Sequence, residues 1–367
     1  MCFFKKLISN NIYHINYSQF NFYMENKKRL LWMDILNITA CICVVLLHCN
    51  HQINIYKGSI NFPYIWGVFV NSVAFWPVPV FMMLSCCNLL NSTYDKRTFY
   101  KKRFYRTGIP FIAWSFIYII INTLILGKEY TSKSLINDFF TGNLNPNMWF
   151  MIPLFCFYIM LPFISILYKQ LSNKQLLYFI VISFLLNSLY PYIVTLFNLE
   201  TLSQQHLFSI GENFITIGIA GYWIGHNEIS MNNRRKIYLI AFITIIAHFL
   251  IFLLKTQHDG IAFRQSQNYS YPISIIVPIA VFIYFKYTNW EKLLRLLHIN
   301  KAFVAKISSC SFGIYLVHNA IQKISLQFDI PHLPFVNHYI GFIVTYITSL
   351  LVIYLMKQIP IIKKIVP

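Results

Sequence analysis

The chain has 367 residues, of which 57% are hydrophobic and 11% are charged, and its formal net charge is +19. A mean hydropathy of +0.54 is too high for a soluble protein of this length, so the composition excludes a soluble globular domain. A large basic excess accompanies either nucleic-acid binding or membrane topology, and the positions of the charges distinguish the two.

Long apolar stretches recur along the chain and predict its fold. About 17 to 25 apolar residues allow an α-helix to cross the hydrocarbon core of a bilayer. The sequence therefore predicts an all-α integral membrane protein, a bundle of about ten transmembrane helices. The predicted spans are approximately 30–48, 64–90, 109–126, 148–168, 176–197, 207–225, 237–254, 272–287, 303–322 and 338–356.

The chain shows no internal repeat and no low-complexity linker. We therefore expect one transmembrane domain at 30–356, an N-terminal cytoplasmic tail at 1–29 and a C-terminal cytoplasmic tail at 357–367. The first 23 residues are polar and aromatic, without the apolar core and cleavage site of a signal peptide. The stretch MENKKRLLWMDIL resembles a natural N-terminus, so either translation starts at Met24 or the leader is a disordered tail.

The orientation follows from the lysines and arginines. With the N-terminus in the cytoplasm, 24 of the 30 lysine and arginine residues fall on the inner side. Cytoplasmic loops are enriched in these residues, so the distribution predicts an even number of spans with both termini cytoplasmic. Topology and anionic lipid then explain the net charge, and the bilayer, with no nucleic acid, is the expected partner.

Cysteines contribute little to the functional prediction. The chain has eight, six of them within predicted spans, and it contains no CxxC pair and no Cys/His metal spacing. Neither a disulfide framework nor a metal site is predicted.

Three polar residues within apolar spans suggest a site. His48, in VVLLHCNH, ends the first span, and His318, in SSCSFGIYLVHNAI, lies about 15 residues into the ninth. Glu212 lies in the sixth span, about 8 Å below the outer surface. Histidine takes up a proton near neutral pH, so these residues at similar depth predict a shared catalytic site. Alternatively, Glu212 makes a helix–helix hydrogen bond and each histidine is an interfacial residue.

Aromatic and proline residues mark two further places. Trp149, in NPNMWFMIPLF, lies at the outer entry of the fourth span, where it either contacts substrate or belongs to the aromatic belt at the membrane surface. Pro77 and Pro79, in WPVPVFMMLS, are expected to kink or break the second span, because proline removes a helical hydrogen-bond donor.

A basic loop, KRTFYKKRFYRTGIP, precedes the third span. It includes Lys102, Arg103 and Arg106, and the two arginines are three residues apart, which places them on one face of a helix. The loop either serves topology and lipid headgroups or binds the phosphates of an anionic cofactor from the cytoplasm.

Taken together, these segments resemble the membrane-bound acyltransferase-3 family, which includes bacterial O-acetyltransferases of surface polysaccharides. The resemblance spans nearly the whole chain and rests on the order of five segments: MDILNITACICVVLLH, VPVFMMLSCCNLL, KKRFYRTGIPFIAW, MWFMIPLFCFYIMLPFI and SSCSFGIYLVH.

The resemblance implies a transmembrane reaction. An acyl group, usually acetyl from acetyl-CoA on the cytoplasmic side, is transferred to a hydroxyl of a lipid-linked or exported glycan outside. By this analogy His48 is the essential histidine, Arg103 and Arg106 match a basic motif, and His318 matches a late Tyr-Leu-x-His motif. No cofactor is expected to be bound permanently, since the acyl-CoA is a co-substrate. The expected location is the bacterial cytoplasmic (inner) membrane.

The sequence departs from the family pattern at two positions. The family commonly has an arginine eleven positions before the first-span histidine, where this chain has Asn37, and a glycine after the second-span serine, where it has Cys86. A neutral amide at Asn37 replaces a permanent cation at a position expected to bind the donor. Donor binding then rests on other residues, or the protein is an inactive member.

A polysaccharide exporter or flippase is the alternative from another functional class, since many spans, a kinked helix and buried polar residues also suit a transporter. The lack of a repeat relating the two halves and the scarcity of charges inside the spans count against it. No G-x-S-x-G serine motif is present, which removes one route through an acyl-enzyme.

Overall fold

The computed structural model describes residues 29–54, 56, 58–90, 95–197, 213–263, 268–325 and 336–367, and these residues are helical with no β-strand. The predicted N-terminal leader, including Met24, lies outside them. The α-helices are α1 (Leu31–Cys49), α2 (Phe62–Ala74), α3 (Pro77–Leu89), α4 (Lys96–Arg103), α5 (Ile109–Leu124), α6 (Ser132–Thr141), α7 (Met151–Gln170), α8 (Asn173–Phe184), α9 (Tyr190–Leu196), α10 (Asn213–His226), α11 (Met231–Asp259), α12 (Ile273–Tyr287), α13 (Trp290–Leu296), α14 (Lys301–Ser325) and α15 (Val336–Met356).

Seven helices or helix pairs within the described residues are long and apolar enough to cross a membrane, and an eighth is possible if α12 and α13, bent by 66°, form one span. The chain is therefore a multi-pass membrane protein, as predicted, and the expected number of ten spans stays a prediction. α10 is described over only 14 residues, because the first part of the sixth predicted span lies outside the described residues. α14, although 25 residues long, carries many polar side chains.

A break divides the second predicted span just before Pro77, as the sequence predicts, and two π-helical turns precede two other prolines. α2 ends at Ala74 and α3 begins at Pro77, so two non-helical residues divide the second predicted span. Two π-helical turns, Phe104–Gly108 and Leu185–Leu189, each end two residues before a proline. Pro110 and Pro191 cannot donate to the carbonyl four residues back, and the hydrogen bonds just before them shift to the carbonyl five residues back.

α1 and α14 lie side by side and run parallel. Asn37 donates a hydrogen bond to Ser308, and His48 contacts His318. Between these contacts, the Sγ of Cys41 lies 3.4 Å from the carbonyl oxygen of Ser311. The numbers of the paired residues differ by 270 or 271 in each case. A constant difference means that the helices point the same way, in register over about three turns.

The helices at the rim present apolar faces outward. Phe116, Ile120 and Leu124 on α5 are 60%, 57% and 78% exposed, and residues four apart share one face of a helix. In α11 and in α15, 17% of the residues in the most apolar 18-residue segment are buried inside the bundle. In the segment formed by α2 and α3 the share is 83%. The broken helix α2–α3 is therefore central, and α11 and α15 contact lipid.

α10 approaches α3 closely through two glycines. A Cβ placed on Gly221 would lie 2.4 Å from the Cα of Met83, and one placed on Gly225 would lie 2.2 Å from the Sγ of Cys87. Membrane helices associate largely through van der Waals contact, and small residues allow the backbones to approach. The glycines therefore fix how α10 sits against the centre of the bundle.

Gly221→Ala is expected to destabilise the protein by about 1–3 kcal/mol, because the added methyl group would overlap Met83. Gly341→Ala on α15 is the matched control, since a Cβ there meets nothing within 4 Å. The measurement is the midpoint of thermal unfolding of the purified protein in detergent. Equal midpoints for the two variants would contradict the close contact between α3 and α10.

Candidate active site

Two histidines from the parallel helices α1 and α14 form the centre of the site. Nδ1 of His48 lies 2.7 Å from Nε2 of His318. The ring planes are within 8° of each other and the ring centroids are 4.9 Å apart. The distance between the ring centroids is close to the sum of the nitrogen–nitrogen distance and two ring radii. The two rings therefore meet edge to edge in one plane and are not stacked face to face. This in-plane arrangement aims a ring N–H of one histidine at the lone pair of the other.

The surrounding groups assign the hydrogen on each ring. Nδ1 of His318 lies 3.1 Å from the carbonyl oxygen of Ile314, which only accepts, so His318 carries its hydrogen on Nδ1. In an uncharged ring Nε2 is then the acceptor, and it receives hydrogen bonds from Nδ1 of His48 and from Nδ2 of Asn147, the latter at 3.1 Å. His48 therefore keeps an unprotonated Nε2, and no described residue hydrogen-bonds to that atom.

The two histidines differ in exposure. His318 is fully buried, whereas His48 at the end of α1 is partly exposed. His48 is therefore the more accessible of the two rings.

A short turn before α7 supplies Asn147. The Oδ1 of Asn145 accepts hydrogen bonds from the backbone N–H of Asn147 at 3.1 Å and from Nδ2 of Asn319 at 2.6 Å. The hydroxyl of Tyr315 donates to the carbonyl oxygen of Asn147. Nδ2 of Asn122 on α5 donates to the carbonyl oxygen of Leu144 at 2.7 Å. α5 and α14 thus hold the turn from both sides and orient the Asn147 amide toward His318.

Polar residues also hold the end of α1. Nε2 of Gln322 on α14 donates to the carbonyl oxygen of His48 at 3.1 Å and lies 2.9 Å from Nε2 of His51. Burial lowers the pKa of His51, so its ring is uncharged at neutral pH and accepts this hydrogen bond. The helix end that carries His48 is therefore fixed by α14 at two levels.

Of the other two predicted site residues, Trp149 lies within the described residues and Glu212 does not. Trp149 follows Asn147 by two residues, is partly buried, and has its ring centroid 5.3 Å from that of Tyr269. Trp149 is thus two residues from the asparagine that contacts His318, and its contact with substrate stays a prediction. Glu212 lies outside the described residues, so its part in the site also stays a prediction.

Asn37 lies at the far end of α1 from His48. Its Nδ2 donates to the carbonyl oxygen and the hydroxyl of Ser308, at 3.0 and 3.1 Å. Eleven residues of helix correspond to about 16 Å, so Asn37 does not touch the histidines. Its amide links α1 to α14, and a role toward the donor stays a prediction.

The basic loop forms a separate group at α4 and the π-helical turn. The Arg103 guanidinium lies 5.6 Å from the ring centroid of Tyr158 and is partly buried, whereas Arg106 is exposed. Arg106 lies within a π-helical turn, which accommodates more residues than an α-helical one, and a shared face for the two arginines stays a prediction. Lys102 is exposed on the same segment.

Sequence reasoning missed the asparagines that support the histidines. Asn145, Asn147, Tyr315 and Asn319 all contact the pair or its supporting turn. A signal was present: Tyr315, His318, Asn319 and Gln322 recur every three or four residues and form a polar stripe on an otherwise apolar helix. The contribution of Asn147, distant in sequence, had no comparable signal.

The fold and the paired histidines define a multi-pass membrane protein with a potential proton-transfer site inside the bundle. The family model for the acyltransferase-3 family, described as an acyltransferase domain, matches residues 30–356. The chain therefore belongs to the acyltransferase-3 family, and its transmembrane region is an acyltransferase domain. No curated protein and no solved structure gives a significant match.

Asn147→Ala is expected to lower the rate of acyl transfer about tenfold while leaving the unfolding midpoint nearly unchanged, because His318 loses a hydrogen-bond donor but keeps its bonds to Ile314 and His48. Asn143→Ala is the matched control, since Asn143 is exposed in the same loop. Rates are compared at saturating donor. An unchanged rate in Asn147→Ala would show that the asparagine does not position the histidine.

Proposed function

We propose that the protein is an O-acyltransferase that moves an acyl group, in particular acetyl from acetyl-CoA, to a hydroxyl of an extracytoplasmic or lipid-linked glycan. The observation that carries the proposal is the unprotonated Nε2 of His48, held by the hydrogen bond to His318 within an acyltransferase domain. A hydroxyl attacks a thioester efficiently only if a base takes its proton, and an uncharged imidazole does this near neutral pH.

The chemical step uses one nitrogen. Nε2 of His48 takes the proton of the acceptor hydroxyl, and the hydroxyl oxygen forms a bond to the thioester carbonyl carbon. The carbon–sulfur bond then breaks, and the imidazolium returns the proton to the departing thiolate, which gives the ester and the free thiol. In the alternative route the same Nε2 bonds to the thioester carbonyl carbon, and the carbon–sulfur bond breaks to release the thiolate. The acceptor oxygen then takes the acyl group as the carbon–nitrogen bond breaks, and the hydroxyl proton passes to the thiolate.

His318 serves this step as a positioning residue. Its Nε2 accepts the hydrogen from Nδ1 of His48, which fixes the tautomer of His48 and stabilises the imidazolium that forms. A neutral acceptor stabilises that cation less than a carboxylate does, so His48 is easily returned to its neutral form. Glu212 is proposed as a second orienting group, for His48 or for the acceptor.

The basic loop is proposed to bind the acyl-CoA phosphates on the cytoplasmic side. Arg103 has a partly buried guanidinium against Phe99 and Tyr158, and its Nε has no hydrogen-bond partner among the described residues. Guanidinium groups bind phosphate oxygens through geometrically fixed N–H groups. Lys102 and Arg106, exposed on the same segment, add charge for the donor.

Trp149 is proposed to contact the acceptor. Its ring, with that of Tyr269, lies beside the turn that holds Asn147, and both rings are partly exposed. Aromatic rings at the membrane surface present an apolar face with a polar edge, which suits a sugar with both C–H and O–H groups.

The proposed setting is the bacterial cytoplasmic membrane, with both termini in the cytoplasm. The excess of lysine and arginine on the side of the termini supports this orientation. The parallel course of α1 and α14 places both histidines on the same side, which is the outer side in this orientation.

The first test is transfer of radiolabel from acetyl-CoA to cell-envelope glycan. Cells expressing the wild type are expected to incorporate label, and His48→Ala is expected to lower incorporation at least 100-fold, since no other described group replaces the base. His258→Ala is the matched control, because His258 is exposed at the end of α11. The cells are compared at equal amounts of the variant protein in the membrane.

Full labelling in His48→Ala would disprove the catalytic assignment. A deletion strain separates the enzyme from an exporter: loss of an acyltransferase leaves glycan that lacks its ester, whereas loss of an exporter removes the surface glycan. Absence of label from the wild type, with surface glycan lost on deletion, would replace the proposal by the exporter.

Arg103→Gln is expected to raise the KM for acetyl-CoA about tenfold with a smaller effect on kcat, because a phosphate contact stabilises the bound donor and the transition state alike. Arg235→Gln on α11 is the control, since Arg235 is exposed and lies outside the basic loop. Initial rates are measured over a range of acetyl-CoA concentrations. A KM equal to that of the control would remove Arg103 from the donor site.

A further inference from the structure

Two cations meet at the opposite end of the bundle from the histidines. Nη2 of Arg29 donates to the carbonyl oxygen of Ala305 at 2.9 Å, and Nζ of Lys357 donates to the carbonyl oxygen of Ser309 at 2.6 Å. Both acceptors belong to α14 and are four residues apart, so they lie on successive turns, about 6 Å from each other along the axis. α14 thus brings together a cation from before α1 and one from just after α15.

The carboxylates near Arg29 and Lys357 do not balance the positive charge of the two side chains. Arg29 binds both oxygens of Asp34, at 2.6 and 2.7 Å, and this ion pair accounts for one cation. Within the described part of the chain, no carboxylate lies within ion-pair distance of Lys357. A third cation, Lys306, bonds the hydroxyl of Tyr354 at 2.8 Å, and its position on α14 is between the two carbonyl acceptors. The group therefore carries an excess of positive charge.

Lys357 is destabilised as a cation in this position. Its side chain is partly buried, and burial together with the nearby Arg29 guanidinium lowers the pKa of Lys357. An ammonium group has three N–H donors, of which one binds the carbonyl oxygen of Ser309. An anion placed between Lys357 and Arg29 would accept further hydrogen bonds and offset the repulsion between the two cations.

The group is also placed at a useful distance from the histidines. Ser309 precedes His318 by nine residues on α14, which corresponds to about 14 Å along the helix. An extended phosphopantetheine arm covers a distance of this order between its phosphate and its sulfur. An anion at Lys357 would thus direct an attached thioester along the α1–α14 contact toward His48.

We propose that Arg29 and Lys357, assisted by Lys306, form a phosphate-binding site at the junction of α1, α14 and α15. The phosphate belongs either to the acyl donor or to a lipid headgroup, and the donor assignment rests on the proposed function above. This site is separate from the basic loop, so a donor with several phosphates engages both.

The test compares Lys357→Gln with Lys364→Gln, which removes the same charge from an exposed position of the same tail. Binding of coenzyme A and of pantetheine, which lacks the phosphates, is measured by calorimetry in nanodiscs of neutral lipid. Retention of phosphatidylglycerol is measured by native mass spectrometry from mixed nanodiscs. Lys357→Arg, which keeps the charge, and Arg29→Gln, which removes the other cation, accompany them.

A donor phosphate predicts that Lys357→Gln weakens coenzyme A binding about tenfold and leaves pantetheine binding unchanged, with Lys357→Arg near the wild type. A lipid phosphate predicts that only phosphatidylglycerol retention falls. If Lys357→Gln and Arg29→Gln match Lys364→Gln in both measurements, the site is overturned. If the wild type neither binds coenzyme A nor transfers label while lipid retention depends on Lys357, the proposed function fails and the phosphate site stands.

Discussion

The parallel contact between α1 and α14 is the constraint on which the site depends. Asn37 pairs with Ser308 and His48 with His318, with nearly the same difference in residue number. Between membrane helices the hydrophobic effect supplies no driving force, so interhelical hydrogen bonds and close packing set the register. A shift of one helix by a single turn would separate the histidines by about 5 Å and would break the Asn37 contact at the same time.

The histidine pair derives its properties from uncharged partners. His318 accepts from His48 and Asn147, donates to a carbonyl oxygen, and is fully buried. A buried carboxylate in that position would need compensation for the loss of its hydration. A chain of neutral donors and acceptors avoids this cost and still fixes which nitrogen of His48 is free. The price of neutrality is weaker stabilisation of the imidazolium, which suits a base that must release its proton within the same turnover.

Sequence alone predicted the features that depend on composition and local chemistry. The helical membrane fold follows from apolar runs, and the break before Pro77 follows from the missing donor of proline. The sequence placed His48 and His318 at similar depth, and the structure brings them together. It did not predict Asn147, because the contact of Asn147 with His318 joins residues 171 apart in the chain. Contacts of that kind depend on the packing of whole helices.

The α1–α14 contact also joins the two ends of the bundle chemically. Cations gather at one end and uncharged histidines at the other. Between them lie Asn37, Ser308 and Ser311, and the hydroxyl of Ser311 is buried without a hydrogen-bond partner among the described residues. A buried hydroxyl without a partner costs about 1–3 kcal/mol. An amide-rich chain lying along this contact would satisfy the hydroxyl, while its phosphate stays with the cations and its thioester reaches His48. If the donor is an acyl-CoA, as proposed, the polar groups of the two helices follow the order of the chemical groups along it.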